Sequence, residues 1–153
     1  HGTSGTSGTS GTSGTSGTNP IENTYVVAGG ASVDMPTFNG DPLFDGSYVL
    51  NGPLVFFRVN VDMSNILTFG DGQYYLTVPF ISKYDTIITA GHLYDNSTGN
   101  EYILSGVLAP GSDVLRLYYV AAASKLAPFT SSSPKPLQIE DYFHISGSYI
   151  IQG

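Results

Sequence analysis

Leu54-Val55-Phe56-Phe57-Arg58-Val59-Asn60-Val61 is the stretch on which the fold turns. Val55, Phe57, Val59 and Val61 fall on one side of an extended chain, and Leu54, Phe56, Arg58 and Asn60 on the other. That two-residue period, in β-branched and aromatic residues, predicts a strand with its valine side in a core. Immediately upstream, Asn51-Gly52-Pro53 is a turn signal, and Gly46–Leu50 alternates in the same way. The pair therefore reads as an antiparallel hairpin.

The same period recurs outward from this hairpin. Gln73–Pro79 places Tyr74, Leu76 and Val78 on one face; Asp113–Ala121 places Leu115, Leu117 and Tyr119 there. Near the end, Phe143, Ile145, Gly147, Tyr149 and Ile151 oppose Tyr142, His144, Ser146, Ser148 and Ile150. Shorter candidates lie near Thr24–Ala28, Thr86–Tyr94 and Tyr102–Leu108. Turn signals separate them, among them Asn39-Gly40-Asp41-Pro42, Gly70-Asp71-Gly72 and Pro110-Gly111-Ser112. No stretch carries apolar residues at helical spacing between caps. About eight short strands at roughly ten-residue intervals predict an all-β, jelly-roll-like sandwich over residues 20–153. Lys125–Pro136, with its prolines and serine run, reads as a long surface loop.

Residues 2–19 are a different material. They read Gly-Thr-Ser five times and then Gly-Thr-Asn, with glycine at every third position: Gly2, Gly5, Gly8, Gly11, Gly14 and Gly17. A Gly/Ser/Thr tract serves as a flexible linker without any period. Strict triplet glycine has a further use, because three polyproline-II-like chains wind together only if the axial residue lacks a side chain. Residues 1–19 are read as a collagen-like stalk, the end of a longer fibre, with those glycines at the triple-helix axis. Wound, the tract would extend roughly 55 Å at about 3.1 Å per residue. A stalk of this kind requires a homotrimer.

Composition points the same way. Charged residues make up only 11% of the chain, and tyrosine and phenylalanine number 11 and 8. Phe56 beside Phe57, Tyr74 beside Tyr75 and Tyr118 beside Tyr119 put bulk on both faces of their strands. A solvated face alternates with polar residues more cleanly. The spare aromatic side is therefore expected to pack on an identical subunit, with Phe56, Tyr75, Tyr118 and Tyr142 as trimer-packing candidates. A net charge of −7 argues against a nucleic-acid partner, because phosphate binding needs a basic face. No apolar run approaches the length of a membrane span, so no membrane insertion is expected. Without cysteine there is neither a disulfide framework nor a thiolate metal site.

Three segments in register resemble the C-terminal head domains of phage tail-fibre and minor structural proteins. They are Gly46-Ser47-Tyr48-Val49-Leu50-Asn51-Gly52-Pro53-Leu54-Val55-Phe56-Phe57, Gly72-Gln73-Tyr74-Tyr75-Leu76-Thr77-Val78-Pro79-Phe80 and Asp141-Tyr142-Phe143-His144-Ile145-Ser146-Gly147-Ser148-Tyr149. The resemblance runs from Gly46 to the end of the chain. It lacks the Trp-bearing strand that often opens such domains, and Val78 stands where leucine is customary. It implies a trimeric sandwich of the C1q and tumour-necrosis-factor kind, carried on a virion and exposed to the host. The implied role is structural and adhesive: trimerising the stalk and contacting a host-surface glycan or protein. A bacterial surface or exosporium filament has the same layout, and a carbohydrate-active depolymerase is the enzymatic alternative.

The residues themselves offer little for catalysis, and no enzyme is expected. A glycosidase needs two carboxylates at a set separation, whereas Asp41, Asp45, Asp71, Asp95 and Asp113 all sit in turn signatures. No G-x-S-x-G elbow occurs, and His92 and His144 fall within strand patterns. Asp95–Glu101 gathers oxygen ligands around a glycine, which makes Asp95 and Glu101 weak metal candidates in a loop unlike the helix-flanked calcium motif. His92 or His144 could also meet their copies near a three-fold axis. No cofactor is expected. Tyr84, Tyr94 and Tyr102 lie near predicted loops, where they could stack on sugars.

Overall fold

A computed structural model describes residues 21–123 and 125–153. The glycine triplets and their axial positions lie outside the described residues. Those described form an all-β structure of twelve strands: β1 (Asn23–Tyr25), β2 (Gly29–Ala31), β3 (Thr37–Phe38), β4 (Leu43–Asn51), β5 (Leu54–Asp62), β6 (Ile66–Thr68), β7 (Tyr74–Thr77), β8 (Thr86–Tyr94), β9 (Glu101–Leu108), β10 (Val114–Ala122), β11 (Lys125–Pro128) and β12 (Tyr142–Ile150). One large antiparallel sheet runs β1-β4-β5-β12-β8-β9-β10-β7-β2, with β11 added on β10; β3 and β6 make a separate pair.

The hairpin predicted around Asn51-Gly52-Pro53 is present. Asn51 faces Leu54, leaving Gly52 and Pro53 as a two-residue turn. Gly52 has φ +61°, a left-handed conformation that glycine adopts without a side-chain clash. On β5, Val55, Phe57, Val59 and Val61 are buried as their period predicts. Tyr74 and Leu76 of β7, Leu115 and Leu117 of β10, and Phe143, Ile145 and Tyr149 of β12 join them in one core.

The sheet curls because its two edge strands are consecutive in the chain. β1 and β2 are separated only by Val26–Ala28, and that link bonds to β7: Thr77 N donates to Ala28 O at 2.8 Å. The Tyr25 hydroxyl crosses from the β4 side to donate to Thr77 O at 3.0 Å. Strand pairing is nested, with β5 on β12, β7 on β10 and β8 on β9. Between β8 and β9 the register shifts from Ile88 to Gly91, and a Cβ on Gly91 would lie 2.8 Å from the Leu104 carbonyl oxygen. Glycine lets the two strands meet there.

Three short strands, β2, β3 and β6, were not expected, and the count of about eight rises accordingly. The larger correction concerns Lys125–Pro136. It is not a surface loop throughout: Lys125–Pro128 pairs with β10, and Phe129 is fully buried. Phe129 N donates to Leu117 O and its carbonyl accepts from Tyr74 N, so the segment stitches β10 to β7.

Registers also fix the two ends of the molecule. Leu43, Asp62, Tyr142, Tyr94 and Glu101 are successive cross-strand neighbours and mark one end. Asn51, Leu54 and Ile150 mark the other. Because Asn23 pairs with Tyr48 and Tyr25 with Gly46, the chain enters from the second end.

Candidate functional site

At the first end lies an open groove of about 780 Å³ between the starts of β4 and β12 and the end of β5. Its walls include Leu43, Phe44, Asp62, Glu140, Tyr142 and His144. Tyr142 is 43% exposed and its ring stacks on Tyr94, centroids 5.1 Å apart. Glu140 makes no ion pair among the described residues and holds φ +78°, a conformation unusual for any residue but glycine. Asp62 accepts from Ser64 N at 2.8 Å. The groove thus combines an exposed aromatic and aliphatic wall with an acidic rim.

Beside it, His144 sits in register between Asn60 of β5 and His92 of β8. The two imidazole centroids are 5.0 Å apart. Glu101 holds the far side of His92 through Nε2, and His92 Nδ1 is buried without a partner. Burial lowers the pKa of His144, and the neighbouring His92 lowers it further. Asp62, Tyr142 and Glu140 also line the groove on this side. A base with a depressed folded pKa leaves stability intact above its unfolded value and erodes it as pH falls below. Urea midpoints should therefore drop between pH 7.5 and pH 5.5, and His144→Asn should drop less over that interval. Parallel curves for the two proteins would show that the pair carries no such term.

Behind the groove lies a buried charge cluster. Lys135 Nζ sits 2.9 Å from Asp95 Oδ1 and 2.7 Å from Asp141 Oδ2. Asp95 also accepts from Ser97 N, Ser97 Oγ and Thr98 Oγ1. Asp141 accepts from Asn96 N and Gln138 N. The Ser97 hydroxyl, then Lys135, hold the Asp95 carboxyl well below its ordinary range. For Lys135 burial acts downward, but the bonds to Asp141 and Asp95 outweigh it and raise the ammonium pKa. Every strong partner here is internal, so the cluster ties the 95–100 turn to the 130–141 segment.

This arrangement assigns the metal candidates separate duties: Asp95 engages Lys135, and Glu101 engages His92. The His92–His144 neighbourhood and the Lys135 cluster both depend on residues far apart in sequence. Only the shared alternation of β8 and β12 hinted at the first. The trimer-packing candidates point outward from the core. Phe56 is 48% exposed on β5, opposite Val49 and Ser148. Tyr75 and Tyr118 are partly exposed on the opposite side of the molecule, and the Tyr75 hydroxyl rests against Met35 Sδ at 3.7 Å. Of the tyrosines considered for sugars, Tyr84 is exposed beside Lys83, Tyr94 stacks on Tyr142, and Tyr102 packs against the core.

Comparison of the chain with protein-family models, with curated proteins and with solved structures finds no match.

Proposed function

We propose that this protein is a trimeric structural and adhesive head domain of a fibre, the tip of a phage-like particle, with its triplet tract as the stalk. The observation that carries the reading is the apolar outer surface. Phe56, Ile87, Ile103, Val120, Leu126 and Tyr142 are all exposed on a molecule whose core is already complete without them. Val120 and Leu126 are cross-strand neighbours, and on a chain so poor in charge this number of exposed apolar side chains supports a protein–protein contact. The nested pairing of β5 with β12, β7 with β10 and β8 with β9 supports the jelly-roll form of the sandwich.

The polarity of the molecule supports the fibre layout. The chain enters at the end marked by Asn51 and Ile150, and the loops around the groove lie at the other. A stalk rising into the entry end leaves the opposite loops facing outward, toward a host surface. Holding three chain ends together also removes most of the association cost of winding a triple helix. Three identical ligand contacts, presented rigidly, then gain avidity. Around the groove Asp45 pairs with Arg58, Glu101 with His92, and Asp95 and Asp141 with Lys135, while Asp62 and Glu140 on its wall make no ion pair among the described residues. The test is binding of the full chain to host cells and to arrayed surface glycans, alongside incubation with host polysaccharide. Binding without release of reducing ends is expected. Release of reducing ends would overturn the adhesive assignment in favour of a depolymerase.

A further inference from the structure

From Val120 onward β10 no longer pairs with β9, whose last partner is Leu104 opposite Tyr119; it pairs with β11 alone. Val120, Ala121 and Ala122 are consecutive and all exposed, and so are Lys125 and Leu126 across from them. A strand lying on a sheet buries every second residue. This one buries none of the three, so the β10–β11 tip is an arm with solvent on both faces. A two-stranded ribbon of that kind is marginal in water by itself. Its residues are apolar apart from Ser124 and the single cation Lys125.

The groove described above is its complement: Leu43 and Tyr142 offer exposed apolar surface, and Glu140 offers a carboxylate without an ion-pair partner among the described residues. The two features stand at the same end of the molecule. Tyr119 faces Leu104, three residues from Glu101, and Glu101 belongs to the row Leu43–Asp62–Tyr142–Tyr94–Glu101. Rotation about an axis along the strands moves a residue around the molecule and never along it. Head-to-tail contacts that close a ring about such an axis join different patches near the same end.

We propose that the β10–β11 arm of each copy docks in the groove of the next copy around the three-fold axis. Val120 and Leu126 lie against Leu43 and Tyr142, and Lys125 meets Glu140. This rests on the trimeric reading given above and specifies which surfaces make the trimer.

Because the chain has no cysteine, pairs can be introduced without interference. Leu43→Cys with Leu126→Cys in the full chain, oxidised, should give a ladder ending at a covalent trimer on a non-reducing gel; neither single variant should pass a dimer. Lys125→Glu should weaken association about tenfold or more, since like charges then face each other, and adding Glu140→Lys should restore it. Light scattering on the unmodified chain separates the two ideas. A trimer whose double-cysteine variant stays uncrosslinked overturns the arm-in-groove contact and leaves the trimer standing. A monomer overturns both. Circular dichroism on each variant confirms that the sheet is retained.

Discussion

Replacing Lys135 by alanine is expected to destabilise the fold, because it leaves two carboxylates side by side without their shared ammonium. Asp141 is only 1% exposed and Asp95 is buried. Without the ammonium, two carboxylates face each other with no cation between them. The lysine is also the only cation reaching either of them among the described residues. Chemical denaturation at pH 7 measures the loss. An unchanged denaturation midpoint would mean that the 130–141 segment is held without the clamp. Replacing all three together, Lys135→Met with Asp95→Asn and Asp141→Asn, should recover part of the loss, because no bare charge remains.

The cluster also sets a pH window. Asp95 has a depressed folded pKa, so its contribution is present above the ordinary carboxylate value of 3.8 and is lost as pH falls toward the folded value. Lys135 has a raised folded pKa, so its contribution is present below 10.5 and is lost as pH rises past the folded value. Between these limits the clamp is fully engaged. In the Lys135→Ala protein acid should relieve the strain, because protonating a carboxylate removes the repulsion. Its stability deficit should therefore narrow below about pH 4.

Phe129→Ala should cost about 3–5 kcal/mol from lost burial and the cavity left behind. Phe129 is fully buried, and its ring meets Tyr74 and Phe143 edge-on at 5.2 Å centroid distance in each case. It plugs the place where β11 ends and β7 takes over as the partner of β10. Phe129→Leu should lose much less. Equal losses in the two variants would show that the aromatic contacts matter more than volume.

Both of these residues lie in the segment that local pattern misjudged, and the reason is physical. Alternation along a strand reports burial of one face, which is why β5, β7, β10 and β12 were legible from their own residues. Lys125–Pro136 has no such alternation: its strand is four residues long, exposed for most of its length and ended by proline. Lys135, lodged between Pro134 and Pro136 in a serine-rich run, looks like a solvated cation. Its partners come from a turn forty residues upstream and from the start of the last strand. Nothing within reach of a local window signals that. One clue was present, since Asp141 stands directly before the aromatic run of β12, where an acid needs a donor if it is buried.

The groove was legible only in part. Tyr142 was singled out for its outward position, and it does line the groove, but Leu43, Asp62 and Glu140 join it only because β4, β5 and β12 align in register. The left-handed backbone of Glu140 likewise leaves no mark in composition. Of the aromatic pairs expected to put bulk on both faces, Phe56 is exposed and Phe57 buried, Tyr74 is buried and Tyr75 half-buried, and Tyr118 and Tyr119 are both half-buried.

The trimer carries the whole account, and one measurement addresses it most directly: the mass of the full chain in solution by sedimentation equilibrium. Three times the 16.2 kDa of one chain is the predicted result, held on dilution until the apolar contacts give way. A single 16.2 kDa species that persists at the highest concentration reached, with the sheet intact, would contradict it.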